Sequence, residues 1–233
     1  MNDLQIRALN YLNTEPLLHV DMSEVILRGT ADVLSAGPHG VLLYERESGA
    51  CMISAKSVGC VEMLLDAAPS CALFTVHQQF LIEPVKKRFG LDKSWACVQT
   101  VYTRKDKLSV RSRFDIRPLD PSHSGMVAEH YHLLDADGIG RIISKGLLIG
   151  GFANDRLAGF AGNHEEGSMG MLFVLPEFRR QGLAIALESF LINRLLDMGR
   201  VPFGQIFEDN AASLKLQQSL GMSLTPGRVW WVY

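Results

Sequence analysis

The feature that most constrains the fold is an apolar segment that leads through a glycine-containing loop into a long amphipathic helix. Residues 169–174 are apolar apart from one glycine and precede Pro176, which favours a buried strand that ends there. The loop over residues 179–184 combines two arginines with Gly182. The helix that follows carries apolar residues at the spacing of one buried face, before Gly199 ends it: Leu183, Leu187, Phe190, Leu191, Leu195 and Met198.

This strand, loop and helix predict an anion site. The free backbone amides and the partial positive charge of a helix start suit a diphosphate, and Gly182 removes the Cβ that would block its approach. Arg179 and Arg180 add positive charge. A solvated basic loop before an ordinary amphipathic helix is the alternative.

Competing motifs are absent: Gly138-Ile139-Gly140 lacks the third glycine of a dinucleotide fingerprint, and no nucleotide P-loop, nucleophile elbow or zinc-protease helix occurs.

Composition excludes several classes of protein. The 233 residues are 47% hydrophobic, which rules out a mainly disordered chain, and a net charge of −2 argues against binding nucleic acid by phosphate neutralisation. No apolar run reaches the roughly 18–20 residues that span a bilayer, and residues 1–7 lack a signal-peptide pattern. Four cysteines without a Cys-x-x-Cys pair predict reduced, mostly buried thiols in a cytoplasmic protein.

The chain divides into two predicted domains, residues 1–112 and 113–233. The charged stretch Arg104-Lys105-Asp106-Lys107 suggests the junction. The first part is mixed α/β by its patterns, with strands predicted at 40–45, 51–55, 72–76 and 95–103, and helices at 58–67 and 80–89.

The second part predicts more regular elements. Asn154-Asp155 between two apolar segments indicates a two-residue hairpin turn, because both residues tolerate positive φ. Asn210 is predicted to cap a helix that ends at Gly221. The other elements expected are helices at 122–134 and 139–145 and strands at 114–119, 202–207 and 229–233.

Two blocks of this region resemble the GNAT acyltransferase superfamily. Val174-x-Pro176-Glu177-x-Arg179-Arg180-Gln181-Gly182-Leu183-Ala184 is similar to its acyl-CoA pyrophosphate loop, and residues 209–222 are similar to its Asn-x-x-Ser block. The resemblance covers about residues 113–233. Residues 164–170 also resemble the subgroup near glycine N-acyltransferase, in which a degenerate GNAT-like half comes first. The resemblance implies an α/β (α+β) GNAT fold with a mixed central sheet flanked by helices, preceded by a smaller degenerate GNAT-like α/β half.

The resemblance also implies a coenzyme site. In the family, the strand at 172–174 splays from the strand near 205–207, and its backbone pairs with the pantetheine amides of acetyl-CoA or another acyl-CoA. The loop holds the pyrophosphate, Asn210 lies near the pantetheine arm, and Ser213 points toward the same groove. The residues implied are Leu172, Phe173, Val174, Arg179, Arg180, Gln181, Gly182, Leu183, Ala184, Asn210, Ser213 and Gln217.

The implied reaction is direct attack of a neutral primary amine on the thioester. An alkyl ammonium is mostly protonated at pH 7, so a base is required. Glu165, then His164 and Glu166, lie just before the central strand, where family bases often lie; an exposed turn is the alternative for these residues. The tyrosine that protonates the departing thiolate in the family aligns with Gln217, an amide that is not a useful acid. Water, Tyr131 or Tyr233 could serve instead.

The functional expectation is therefore an N-acyltransferase, most simply an N-acetyltransferase, acting on a small amine or amino acid without a metal. An acyl-CoA-binding regulatory or scaffold protein without turnover is the alternative that Gln217 keeps open, and an unrelated phosphate-binding enzyme is a third class. No nucleic-acid or membrane partner is predicted, and a homodimer is possible. The first half is expected to shape the acceptor pocket.

Overall fold

The fold consists of twelve strands and eight α-helices. A computed structural model describes all 233 residues. The helices are α1 (Asp3–Leu12), α2 (Val20–Leu27), α3 (Val61–Leu65), α4 (Ile82–Phe89), α5 (Ser124–His130), α6 (Ala136–Ser144), α7 (Leu183–Asp197) and α8 (Ala211–Ser219). The strands are β1 (Ala31–Gly37), β2 (Gly40–Glu45), β3 (Cys51–Ala55), β4 (Phe74–Val76), β5 (Ser94–Val101), β6 (Asp115–Pro118), β7 (Leu148–Ala153), β8 (Arg156–Asn163), β9 (Met169–Val174), β10 (Phe203–Phe207), β11 (Ser223–Leu224) and β12 (Val229–Val232).

The chain forms two compact units, and the first of them is discontinuous in sequence. It comprises Met1–Val101, Phe203–Gln218 and Met222–Tyr233. The second comprises Tyr102–Pro202 and Ser219–Gly221. The last strands of the sequence therefore belong to the unit that contains the amino-terminal residues. The division into domains 1–112 and 113–233 stays a prediction.

The first unit is built on a mixed sheet in the order β1-β2-β3-β4-β12-β5-β10, with β11 also pairing with β5. β3 and β4 are parallel, and the other pairs are antiparallel. β12 lies between β4 and β5: Trp231 pairs with Thr75 on one side and with Trp95 on the other. A strand far along the sequence thus completes the middle of this sheet.

The second unit is built on the antiparallel sheet β6-β7-β8-β9. The predicted hairpin between β7 and β8 is confirmed, with Asn154 at φ 49° and Asp155 at φ 62°. Side chains of α5 and α6 form a core with those of the sheet, including Val127, Ile139 and Phe160. The longest helix, α7, packs along β7, β8 and β9.

Several predicted boundaries were wrong. The helix expected over 122–134 is confined to α5, because Tyr131 adopts an extended conformation at φ −130° and ψ 110°. The helix expected over 58–67 is a 3-10 turn at Val58–Cys60 followed by the short α3. The helix stops at Gly90 and Gly199 are confirmed, since both adopt left-handed φ values of 69° and 68°.

A buried polar network lies inside the first unit. The Nε2 of His77 donates to both carboxylate oxygens of Asp21 at 2.9 and 3.0 Å, and its Nδ1 donates to the Ile53 carbonyl at 3.0 Å. The pKa of Asp21 is lowered and that of His77 is raised, so Asp21 is a carboxylate, both ring nitrogens carry protons, and His77 is an imidazolium. Both side chains are fully buried.

His19, whose ring centroid is 5.4 Å from that of His77, has the opposite protonation state. Its ring bonds the Leu12 carbonyl at 3.1 Å and the Ser54 hydroxyl at 2.9 Å, and the hydroxyl can donate to it. Burial lowers the pKa of His19 to about 4. The first unit therefore contains one charged and one neutral histidine side by side.

The four cysteines are unpaired, and Cys51, Cys71 and Cys97 are buried, as the sequence predicts.

No helix combines the length and the apolar character that crossing a membrane would require.

Candidate functional site

β9 contains a bulge at the position where the sequence predicts the coenzyme strand. The pairing of β8 with β9 shifts register between Phe160 and Gly162, opposite Met171, which adopts a positive φ of 56°. A bulge bends the strand and redirects the residues after it. Leu172, Phe173 and Val174 follow the bulge and are half-buried.

The loop after β9 ends in a helix start that is open to solvent. Gly182 has φ 82°, and a Cβ added there would meet no atom within 4 Å. No side chain caps the first turn of α7, so its amides point outward without a side-chain partner. Arg180 also has positive φ, at 57°. An uncapped start of a fifteen-residue helix concentrates partial positive charge at this loop.

Two glycines of the sheet fix the position of this helix start. Leu183 is the first residue of α7, and its side chain lies against Gly151. A Cβ added at Gly151 would be only 2.3 Å from Cδ1 of Leu183. A Cβ at Gly159 would be 3.2 Å from Leu183 Cδ2. Because neither position carries a side chain, Leu183 reaches the backbone of β7 and β8 and is buried there.

The arginines of the loop have no carboxylate partner. Arg179 donates through Nε to the Val174 carbonyl at 3.0 Å, and its guanidinium carbon lies 5.9 Å from the centroid of the Phe173 ring. The nearby carboxylate of Glu177 pairs with Arg156 instead. Arg179 and Arg180 are exposed, so the loop has uncompensated positive charge beside the helix start. The second unit thus brings together the predicted residues Leu172, Phe173, Val174, Arg179, Arg180, Gln181, Gly182, Leu183 and Ala184.

The remaining predicted coenzyme residues lie in the first unit, on or beside α8. Asn210 caps this helix, as predicted: its Oδ1 accepts from the Ser213 amide at 3.1 Å. Gln217 is buried, and its Oε1 has no hydrogen-bond partner. A buried amide oxygen without a donor is costly and can accept a further hydrogen bond. The coenzyme roles of these three residues stay predictions.

The three predicted base residues occupy one turn but point to different partners. Glu165 Oε1 accepts from Lys145 Nζ at 2.8 Å. Glu166 is buried and accepts from the Ser168 hydroxyl. The ring of His164 lies over β9, where a Cβ at Gly170 would be 2.6 Å from its Nε2. The turn therefore presents a paired carboxylate, a buried carboxylate and a half-buried imidazole.

Sequence reasoning missed one aromatic contact of β9. The His130 ring stacks on Phe173, with centroids 4.2 Å apart and planes 13° apart. His130 is the last residue of α5, and the sequence pattern continued the helix past it, so nothing marked it as facing β9.

Tyr131, which the sequence offered as a possible acid, follows directly, with its ring centroid 6.1 Å from that of His164. Burial and then the charge of Glu166 raise the pKa of Tyr131, which keeps its hydroxyl protonated near neutral pH. Tyr233, the other tyrosine offered, lies in the first unit against Trp95.

Comparison with solved structures identifies the architecture as the GNAT fold. A Drosophila protein matches with a TM-score of 0.68 and 15% identity over 98% of this chain and 87% of its own. The GCN5-related N-acetyltransferase from Sphaerobacter thermophilus matches at 0.57 and 14% over 98% and 90%. A tandem GNAT protein from the clavulanic acid biosynthesis pathway matches at 0.50 and 14% over 99% and 93%, which fits two GNAT-related halves.

The sequence comparison is more specific about one region. Residues 146–231 match the model of the family described as FR47-like protein. That region includes β9, its loop, α7 and α8. No curated protein sequence matches the chain. No group of three or more histidine, cysteine, aspartate or glutamate side chains is arranged to hold a metal ion.

Proposed function

We propose that the chain is an N-acyltransferase, most simply an N-acetyltransferase, that uses acetyl-CoA or another acyl-CoA. The observation that carries the proposal is the uncapped start of α7 at Gly182, beside two arginines without carboxylate partners. This combination suits a diphosphate, because helix-start amides and cations both stabilise negative charge. The GNAT fold and the FR47-like match support the same function.

The acyl thioester would supply an activated carbonyl, and the side chains near β9 would handle the protons. The acceptor amine must lose a proton before or during attack. Glu165 is the first candidate base, but its ion pair with Lys145 must open or shift for the carboxylate to accept that proton. His164, half-buried over β9, is the second. Tyr131 remains the candidate donor to the departing thiolate, although its raised pKa makes it a weaker acid than a free tyrosine.

The acceptor that we propose is a primary amine of a small molecule or amino acid, in keeping with the resemblance to the glycine N-acyltransferase subgroup. Gln217 favours a second function, acyl-CoA binding without turnover, because a buried amide cannot replace an acidic tyrosine. An assay of free CoA release over a panel of amines separates the two. Tight acetyl-CoA binding without thiol release for any amine would favour the second.

The diphosphate site is tested by the Gly182→Asp variant. Negative charge and bulk at the helix start should weaken acetyl-CoA binding at least about tenfold in calorimetry. Gly199→Asp is the matched control, because Gly199 has a similar positive φ, equally open surroundings, and lies at the other end of α7. Equal affinity of the two variants would contradict the site.

The base is tested by Glu165→Gln and His164→Gln, each measured as turnover and as acetyl-CoA affinity. Loss of the base should lower turnover and leave affinity within about twofold, since neither residue lies in the diphosphate loop. The variant that removes the base should also lose the rise of rate with pH. A Glu165→Gln enzyme with the wild-type pH profile between pH 6 and 9 would exclude Glu165.

A further inference from the structure

A basic connector leads into β6 of the second unit. It comprises residues 104–113, which contain five arginines or lysines and one aspartate, and it forms neither helix nor strand. Most of its side chains are exposed. The connector therefore places an excess of positive charge on the surface of the unit that contains the predicted diphosphate loop.

The first part of the connector is held against α7. The Leu108 amide donates to Asn193 Oδ1 at 2.8 Å, and Asn193 Nδ2 donates back to the Leu108 carbonyl at 2.8 Å. Lys107 Nζ also pairs with Asp197, the last residue of α7, at 2.6 Å. Asn193 lies ten residues after Leu183, which corresponds to about 15 Å along the helix axis. These contacts fix one end of the connector at the later turns of α7.

The other end of the connector lies beside the diphosphate loop. Phe114, which follows the connector, is buried, and its ring contacts that of Phe178 edge-on with centroids 6.1 Å apart. Phe178 directly precedes the two loop arginines. Ile116 pairs with Gly151, the strand position against which Leu183 packs. The connector thus runs from the later turns of α7 back towards the first turn of the same helix.

Arg113 provides a cation at this end of the connector. Its guanidinium carbon lies 5.2 Å from the centroid of the Phe114 ring, within the range of a cation–π contact. Arg113 and Arg111 are both exposed, and neither pairs with a carboxylate. The neighbouring carboxylate of Asp115 pairs with Arg117 instead, at 2.5 Å. The connector therefore adds uncompensated positive charge next to that of the loop.

The proposed coenzyme carries a second anionic group near its diphosphate. This group is the phosphate monoester on the 3′ position of the ribose, which adds a charge of about −1.5 to −2 at pH 7. The same ribose carries the diphosphate, so the monoester stays close to it. Guanidinium groups bind phosphate oxygens through charge-assisted, often bidentate hydrogen bonds. A guanidinium beside the diphosphate loop therefore suits the monoester.

We propose that Arg113, assisted by Arg111, binds the 3′-phosphate of the coenzyme and makes the protein prefer acyl-CoA to its 3′-dephospho form. The proposal rests on the proposed acyl-CoA function, because the loop at Gly182 would hold the diphosphate. It adds a determinant of coenzyme specificity, since Arg113 lies outside both sequence blocks that resemble the GNAT superfamily.

Calorimetric titration with acetyl-CoA and with acetyl-3′-dephospho-CoA tests this preference. At low ionic strength we expect the wild type to bind acetyl-CoA at least about fivefold more tightly. The ratio should fall as salt is added, because exposed charges are screened. Equal affinity for the two forms at low ionic strength would overturn the 3′-phosphate site and leave the diphosphate site intact. Binding of neither form would overturn the proposed function and this site with it.

Variants locate the site. Arg113→Gln should bind acetyl-CoA at least about threefold more weakly and the dephospho form as the wild type does, because only the monoester loses a contact. Gly182→Asp should instead weaken the binding of both forms. Arg141→Gln, which removes an exposed arginine of α6, is the matched control and should keep the wild-type ratio. An unchanged ratio in Arg113→Gln, or equal weakening of both forms, would contradict the assignment.

Discussion

Replacing Asp21 by asparagine should remove one charge of a fully buried ion pair and leave the other charge without its partner. At 2.9 Å between His77 Nε2 and Asp21 Oδ1, the Coulomb attraction is about 6 kcal/mol for an effective dielectric constant of about 20, before the cost of desolvating the two charges. The new side-chain amide would also bring a donor towards the Gln205 amide, which donates to Asp21 at 3.1 Å. Breaking a buried pair in this way typically costs about 3–5 kcal/mol, and we expect a loss in that range.

The pH dependence of this loss identifies its origin. Burial opposes the charge on His77, but Asp21 outweighs it and raises the pKa of His77. Burial likewise opposes the charge on Asp21, and His77 outweighs it and lowers the pKa of Asp21. The ion pair therefore stabilises the fold fully between about pH 4 and pH 6.5, where Asp21 and His77 are charged in the unfolded chain as well. It declines as pH rises through the folded pKa of His77, or falls through that of Asp21.

Urea denaturation of wild type and Asp21→Asn, followed by tryptophan fluorescence at several pH values, measures this loss. The single variant His77→Gln and the double variant Asp21→Asn/His77→Gln complete a cycle that isolates the interaction energy of the pair. We expect the losses in free energy of unfolding of the two single variants to add up to more than the loss in the double variant. A loss below about 1 kcal/mol between pH 4 and 6.5, or additive single losses, would refute the charged-pair reasoning.

Two further predictions concern other polar positions of the first unit. The His19→Gln variant should lose less stability than the wild type between pH 6.5 and 4, because folded His19, with a pKa of about 4, resists a proton that the unfolded chain takes up. Urea denaturation should show a difference of about 3 kcal/mol between the two losses in free energy of unfolding over this range. Equal losses would contradict the prediction. Asn210→Ala should lower the free energy of unfolding by about 1 kcal/mol, because the Ser213 amide loses its acceptor. The control Gln218→Ala, at an exposed position of the same helix, should lower it by less than half of that. Equal melting temperatures of the two variants would exclude the cap.

Local signals in the sequence predicted the local parts of the fold and site. The Asn154-Asp155 turn, the glycine helix stops and the Asn210 cap are each fixed by the conformational preferences of one or two residues. The loop at Gly182 is of the same kind, because a glycine with left-handed φ and the start of an amphipathic helix are both readable locally. Tertiary packing adds the part that positions it, since Leu183 depends on Gly151 and Gly159 from two other strands.

Features that depend on distant contacts were not predictable in this way. α1, α2 and β1 were not predicted at all, and no local pattern indicates that β12 pairs with both β4 and β5. The charge state of His77 depends on Asp21, which lies 56 positions away. The stacking of His130 on Phe173 likewise requires knowing where α5 ends.

The insertion of β12 between β4 and β5 has a consequence for the order of events during biosynthesis. Residues 102–202 form a continuous segment that is synthesised before residues 229–232. Until those four residues arrive, β4 and β5 each have an unpaired edge at the centre of the unfinished sheet, a known template for unwanted strand pairing. The amino-terminal part of this chain is therefore made first and completed last.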